Sequence, residues 1–460
     1  MSSHTFSLDP LNVPKVKTLN RTIKTQIPAP GTKEILKKLS SLESRSMHGQ
    51  LPIVWDKADD FNMFDLLGNK FIDFTSTIFV TNVGHSNKRI LAYMHEAMDK
   101  SLISCYAYSN EMRAKYLQKL NEFTDQQLDK AFLLSAGTEA TEGALKLMRM
   151  HGQKVKKRKL GIICMEGNWH GRTMGAQMLS GNAAQKEWVG YSDENIHHIP
   201  FPYPWVTEGT NAVEFLDRSL DTLSQKGIDL SRDIAGFMIE TFQGWGAVFY
   251  PKEYIQAIEQ LGKKYNILLA FDEMQSGFGR TGRKFGYQHY EVNPDLICCG
   301  KGMGNGYPLS GVIGKKKIMD LPEIGNMSST HSANPVACAV GLAVIEEIES
   351  KNLIPETQRK GLLLKNKLNI LKDLSNNRIS YTLGEGLIAS ILFQDPNTKK
   401  PESYLTSKIV DKCYEKGLLV VHTGRESIKL GPPLTITDEA LIEGLDVITE
   451  CFETVSKELN

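Results

Sequence analysis

YIQAIEQLGKKYNILLAFD, residues 254–272, places a helix directly before a buried strand. Tyr254, Ile258, Leu261 and Tyr265 recur at three- and four-residue steps, the period of one helix face. Residues 267–271 are then apolar without alternation, as a strand covered on both faces requires, and Asp272 ends the run. The same pattern extends outward. Short apolar runs lie at 131–134, 161–165, 234–239 and 296–299, with helical spacing at 138–150. Strands of this kind alternating with helices predict an α/β fold with a mostly parallel sheet covered by helices.

Residues 85–335 carry this pattern and are expected to form the large domain. Residues 1–84 read as an N-terminal arm and part of a smaller α+β domain. The arm holds prolines at 10, 14, 28 and 30 and one helix at 32–41. Leu67-Gly68-Asn69 between two alternating runs signals a hairpin. Residues 336–460 read as the C-terminal part of the small domain, entered through a long helix at 335–349.

The chain has 460 residues, of which 41% are hydrophobic and 23% charged, as in a globular protein. Its net charge of +1 gives no general electrostatic case for nucleic acid or an anionic membrane. The basic stretches 154–159 and 315–317 are expected to be solvated surface. Seven scattered cysteines, with no zinc-type spacing, argue against a disulfide framework and for no metal. No secretory signal is visible at the start, and no apolar stretch is long enough to span a bilayer. A cytoplasmic, soluble protein is expected.

The strand ends carry the chemistry. Ser135, Glu166, Glu240, Asp272 and Lys301 each follow or close an apolar run. In open parallel sheets, ligands bind outside the carboxyl ends of the strands. A desolvated lysine favours its free amine, which attacks carbonyls. Asp272 could form a plain buried ion pair with Lys301, or hold a protonated ring nitrogen. Ala136-Gly137-Thr138 opens a helix, whose free amides suit a phosphate. Trp169, in NWHGRT at 168–173, could stack on a planar ring. An imine-forming amine, a carboxylate, an aromatic face and a phosphate cup together make the set that pyridoxal phosphate needs.

FDEMQSGFGRTG at 271–282, Pro294-Asp295 and GKGMGNGYPLSG at 300–311 closely resemble the signature of the class III pyridoxal-phosphate aminotransferases. The resemblance also takes in DLLGNKFIDF at 65–74, VGH at 83–85, AGTEATEGALKLMR at 136–149, NWHGRT at 168–173 and GPPLTIT at 431–437. It implies an aspartate-aminotransferase-like fold of type I, with 85–335 as the cofactor-binding domain. Lys301 matches the Schiff-base lysine that also shuttles the substrate proton. Asp272 matches the partner of the pyridine nitrogen, and Gln275 the contact to the phenolic oxygen. Gly137 and Thr138 match the phosphate cup. Trp169 stands where the family stacks a Phe or Tyr, with His170 beside it. Thr330, in MSSTHSANP at 327–335, matches a threonine that reaches the neighbouring subunit's cofactor. A homodimer, or a dimer of dimers, with interface active sites is implied.

The departures from the family pattern bear on substrate. The usual Glu-Pro is Glu240-Thr241, and Trp245 follows Gln243-Gly244 where Glu is common. The usual aromatic-glycine-glycine run after Thr330 is His331-Ser332-Ala333. Lys429 replaces an arginine that clamps carboxylates in many relatives, and Arg425 lies close by in sequence. A lysine loses the bidentate fork. The resemblance implies transfer of an amino group from a primary, ω-type amine donor to a 2-oxo acid. Glu240, Lys429 and Arg425 are the candidate substrate residues, with Glu240 expected to pair with Lys429. Tyr106, Trp245 and Tyr307 are candidate wall residues beside Trp169. The alternatives are a related decarboxylase or amine phospho-lyase, and a non-catalytic binding subunit.

Overall fold

A computed structural model describes residues 4–207 and 209–459. One of its two units comprises Lys88–Gly244 and Val248–Ile354. Its sheet has seven strands, labelled in chain order: β1 (Lys130–Leu134), β2 (Gly161–Met165), β3 (Ile196–Ile199), β4 (Ile234–Glu240), β5 (Leu268–Asp272), β6 (Leu296–Cys299) and β7 (Ser310–Gly314). Their order across the sheet is β1-β7-β6-β5-β4-β2-β3. The central pairings are parallel, and β7 runs antiparallel to both its neighbours.

Four helices of this unit matter below: α1 (Gly137–Val155), α2 (Met174–Leu179), α3 (Lys252–Tyr265) and α4 (Pro335–Ser350). On one face of the sheet, Ala140, Ala144, Leu147 and Met148 of α1 join Leu134, Ile162, Met238, Leu268 and Val312 in one buried cluster. Burying each large apolar side chain contributes about 1.5–3 kcal/mol, which anchors α1 and its N-terminus over the strand ends. The helix α4 is apolar almost all round, so it is buried in this unit, against the helices Lys88–Asp99 and Glu111–Phe123.

Register places the strand-end residues. Asp272 of β5 lies beside Glu240 of β4 and beside Cys298 of β6. Lys301 stands one residue beyond β6, after Gly300, at a φ of 41°, a left-handed conformation uncommon for a lysine.

The other unit comprises the N-terminal segment through Asn87, Trp245–Ala247, and the segment from Pro355 onward. The expected hairpin is present: Asn62–Asp65 pairs antiparallel with Lys70–Asp73. A four-stranded sheet is built from Ile379–Glu385, Ile388–Phe393, Ser427–Leu430 and Val421–His422. The helices Ser403–Glu415 and Asp438–Glu458 pack on each other, the first also against this sheet. The sequence gives no hint of the turn Ser76–Phe79, whose four residues have φ of 45°, 53°, 62° and 65°.

The stretch 154–159 departs from the expected solvated run at one position. Lys159 is buried, and its ammonium donates to the carbonyls of Ser231 and Tyr265 at 3.1 and 2.7 Å. All seven cysteines are free, and all but Cys105 are buried. Among the described residues, no helix is long and apolar enough to cross a membrane.

Candidate active site

A cavity of about 180 Å³ opens at the carboxyl ends of β4, β5 and β6, lined in part by Gly137, Thr138, Trp169, Glu240, Gln275 and Lys301. Asp272 and His170 line it too. Sequence reasoning placed all eight at a cofactor or substrate, and this unit brings them together.

Lys301 reaches the cavity from the turn after β6. Burial holds its amine below the ordinary lysine range, against the opposing pull of the Asp272 and Glu240 carboxylates. That is the state in which a lysine is a nucleophile.

Asp272 does not form a simple pair with Lys301. Its Oδ2 lies 2.9 Å from His170 Nδ1, and its Oδ1 accepts the Met274 amide at 3.0 Å. His170 is held in turn by its own amide, which donates to Ser180 Oγ at 2.9 Å. One oxygen of Glu240, Oε2, accepts the Trp169 amide at 3.0 Å, fixing the loop that carries Trp169. The Trp169 ring is partly exposed and carries the Arg172 guanidinium on one side, 4.4 Å from its centroid.

The start of α1 is braced from behind. Glu139 accepts the Ser135 and Ala136 amides at 2.9 and 2.7 Å. The first amides of a helix have no acceptor within it, and they carry the positive end of its dipole. Thr138 Oγ1 lies 2.6 Å from Thr173 Oγ1, at the start of α2. The close packing at Gly137 depends on its lacking a side chain, since a Cβ there would fall 2.7 Å from Met274 Sδ.

Other sequence candidates lie elsewhere. Ser135 faces Ser332, with 3.3 Å between hydroxyls, and the Glu166 side chain is exposed outside the cavity lining. Thr330 is exposed and does not line the cavity of its own chain. Tyr307 packs with Ala97, Val336 and Ala339. Tyr106 borders a separate cavity with Arg113 and Met327. In the other unit, the Arg425 guanidinium stacks 3.7 Å from the Trp245 ring centroid and also meets Glu426 at 3.3 Å. Lys429 there is buried, with its ammonium 4.3 Å from the Phe79 ring centroid.

Sequence reasoning missed Asn168, Gln243, Glu142 and Thr173 as supports of the site. Gln243 stood out only as the residue kept after Glu240-Thr241. No local pattern links it to Asn168, 75 residues away, yet the two side chains hydrogen-bond at 2.8 Å.

The donor set fits pyridoxal phosphate: an amine for its aldehyde, a buried carboxylate for its ring nitrogen, and a helix start for its phosphate. The chain belongs to the class-III aminotransferases, whose family model matches residues 44–452. It is a pyridoxal-phosphate-dependent transaminase of the type I fold. It is 31% identical over 446 residues to a 4-aminobutyrate aminotransferase of Mycobacterium leprae, covering 94% of this chain and 97% of the relative. It is also 31% identical over 418 residues to a leucine/methionine racemase of Thermococcus litoralis, covering 88% and 92%. Among solved structures, an aminotransferase of Bacillus anthracis superposes with a TM-score of 0.83 at 27% identity, covering 92% of this chain and 98% of that one.

Proposed function

We propose that Lys301 is the residue that holds pyridoxal phosphate and that its freed amine takes and returns the proton of the substrate carbon. The observation that carries this is the desolvated Lys301 amine in one cavity with the buried Asp272. When bound, the cofactor supplies an electron sink for the charge left on that carbon. Asp272, as an anion, holds a proton on the ring nitrogen. Gly137 and Thr138 receive the phosphate, Trp169 and His170 flank the ring, and Gln275 reaches its phenolic oxygen. Residues 85–335 act as the body of the cofactor-binding domain, which α4 and the residues after it carry on to Ile354, and the segments before and after it form a smaller one.

The amine donor in this reading is an ω-amino acid, in keeping with the 4-aminobutyrate enzyme to which the chain is similar. The acceptor is a 2-oxo acid. Glu240, Lys429 and Arg425 select the substrate. Lys429→Gln is expected to raise the KM for the 2-oxo acid with little change in kcat. Thr330 serves the phosphate of a neighbouring subunit, so the working form is a homodimer. Seven free cysteines suit a reducing cytoplasm.

The similarity to a racemase supports a second reading, in which the proton moves without transfer of the amino group. One experiment separates the two. Loaded protein is mixed with alanine, glutamate, 4-aminobutyrate or diamines, with and without a 2-oxo acid. A transaminase bleaches the bound cofactor with its donor alone and turns over only when the 2-oxo acid is added. A racemase inverts its substrate with no second substrate. Release of carbon dioxide or phosphate would instead mark a decarboxylase or a phospho-lyase. Lys301→Ala abolishes every one of these signals if the assignment is right.

A further inference from the structure

A row of buried side chains leads away from the cavity behind Asp272. His170 Nε2 is 3.3 Å from Asn168 Nδ2. Asn168 Oδ1 is 2.8 Å from Gln243 Nε2. The same Gln243 nitrogen is 2.8 Å from the main-chain carbonyl of Glu166, and Gln243 Oε1 accepts the Tyr203 hydroxyl at 3.0 Å. His170, Asn168 and Gln243 are all at most 2% exposed.

The two ends of a side-chain amide differ only in what they donate or accept, so their order follows from their partners. The Glu166 carbonyl can only accept. The Gln243 end that faces it is therefore the NH2 group. That NH2 group also faces Asn168, so the Asn168 end it meets is the carbonyl oxygen. The other end of Asn168 is then NH2, a donor with no lone pair to offer. It points at His170 Nε2, which must carry a lone pair. The single proton of the imidazole is thus on Nδ1, where it is donated to Asp272 Oδ2 across 2.9 Å.

We propose that Gln243 and Asn168 are positioning residues that hold His170 as the neutral Nδ1–H tautomer, keeping the Asp272–His170 pair at a single negative charge. The proposal rests on the reading of Asp272 as partner of the cofactor's ring nitrogen. A neutral imidazole orients Asp272 without cancelling its charge. An imidazolium in its place would neutralise the pair and remove the counter-charge for a proton on that nitrogen. The polarity originates in a main-chain carbonyl, which no side-chain substitution at residue 166 can reverse. The exposed Glu166 carboxylate has no part in it.

The test is nitrogen-15 NMR of histidine-labelled protein, loaded with pyridoxal phosphate and also free of it. The His170 signals are assigned by their loss in His170→Gln. At neutral pH, the wild type is expected to show a protonated Nδ1 and an unprotonated Nε2 in both states. A protonated Nε2, as the other tautomer or as imidazolium, overturns the proposal. Asn168→Asp puts an acceptor where the donor stood, so Nε2 gains a proton and the imidazolium pattern appears. The pH at which the bound cofactor changes absorbance moves with it. A merely structural Asn168 would alter stability and leave the histidine signals alone, and that result also overturns the proposal. If Asn168→Asp does not fold, the wild-type spectrum decides by itself. Failure of the underlying reading shows separately: the wild type binds no pyridoxal phosphate, or Asp272→Asn leaves the spectrum of the bound cofactor unchanged. The tautomer is still read on the cofactor-free protein.

Discussion

Glu142 and Thr173 meet at 2.5 Å, carboxylate oxygen to hydroxyl oxygen. An ionised carboxylate only accepts, so Thr173 is the donor. Its hydroxyl has no second proton, and the 2.6 Å bond between the Thr173 and Thr138 hydroxyls must run from Thr138. Thr138 therefore directs its proton away from the start of α1, where a phosphate would need it. Glu142 also accepts the Gly175 and Ala176 amides, at 2.9 and 3.3 Å, which keeps its carboxylate in place. All three donors meet one oxygen, Oε1, so an amide at 142 would keep its carbonyl there and the same polarity; Thr173→Val instead removes the acceptor, and the Thr138 proton is free to turn to a phosphate. Affinity for pyridoxal phosphate, and for inorganic phosphate alone, is expected to rise about fivefold, the worth of one hydrogen bond of about 1 kcal/mol. Equilibrium dialysis measures both. Adding Thr138→Val should erase the gain, and equal affinities for wild type and Thr173→Val would refute this polarity.

Lys301 makes a second prediction through its ionisation. Burial lowers its pKa from the ordinary 10.5, so the free amine becomes the main form at lower pH than in an exposed lysine. Capture of pyridoxal phosphate by cofactor-free protein, trapped by borohydride, should quicken with rising pH and level off below the ordinary lysine range. Lys301→Ala should trap nothing. A rate that keeps climbing through pH 10 would mean that the amine is not desolvated before the cofactor arrives.

These two sites differ in how far they could be read from sequence. Asp272 and Lys301 stand at the ends of unbroken apolar runs, so the strand pattern alone sends them to one edge of the sheet. Gly137 and Thr138 open a helix that follows another such run, and the same logic reaches them. The antiparallel strand β7 was not legible, because glycines at 311 and 314 break its apolar pattern. The pairing of His170 with Asp272 was not legible either. It depends on the loop after β2 folding back over β5, a tertiary contact between residues 102 positions apart. The polar supports Asn168, Gln243 and Glu142 lack periodicity, and only their hydrogen-bond partners mark them.

Glu273, next to Asp272, is a buried carboxylate with a structural task. It accepts the Ser276 and Thr241 hydroxyls at 2.6 and 2.8 Å, and the Gly286 and Tyr287 amides at 2.8 and 2.7 Å. Burial still raises its carboxyl above the ordinary 4.5, with these donors pulling the other way. A carboxyl whose folded pKa is raised binds more protons folded than unfolded between the two values. Stability should therefore fall as pH climbs from 4.5 through the raised value. Denaturant titrations across that window should show the slope in wild type and lose it in Glu273→Gln. Glu273→Leu strands all four donors, at about 1–3 kcal/mol each, and should fail to accumulate as folded protein.

Gly431 supports the left-handed turn of the other unit. Its amide donates to the Phe74 carbonyl at 2.7 Å, and its carbonyl accepts the Ser76 hydroxyl at 2.6 Å. A Cβ at this position would lie 2.2 Å from both Cδ1 and Cε1 of Phe79, far inside contact distance. Phe79 has little freedom to retreat, because it is 1% exposed and ends a turn whose four residues all have positive φ. Left-handed backbone costs about 1–2 kcal/mol per non-glycine residue, so this turn persists only while its surroundings hold it. Gly431→Ala should release it and lower the unfolding free energy by roughly 2–4 kcal/mol, in the range of overpacked cores and lost backbone strain supports. Urea denaturation measures the loss. Phe79→Ala in the same chain removes the clash, and the double variant should then recover part of the stability lost in Gly431→Ala. A single variant as stable as wild type would show that the ring moves aside freely, and that the turn does not depend on Gly431.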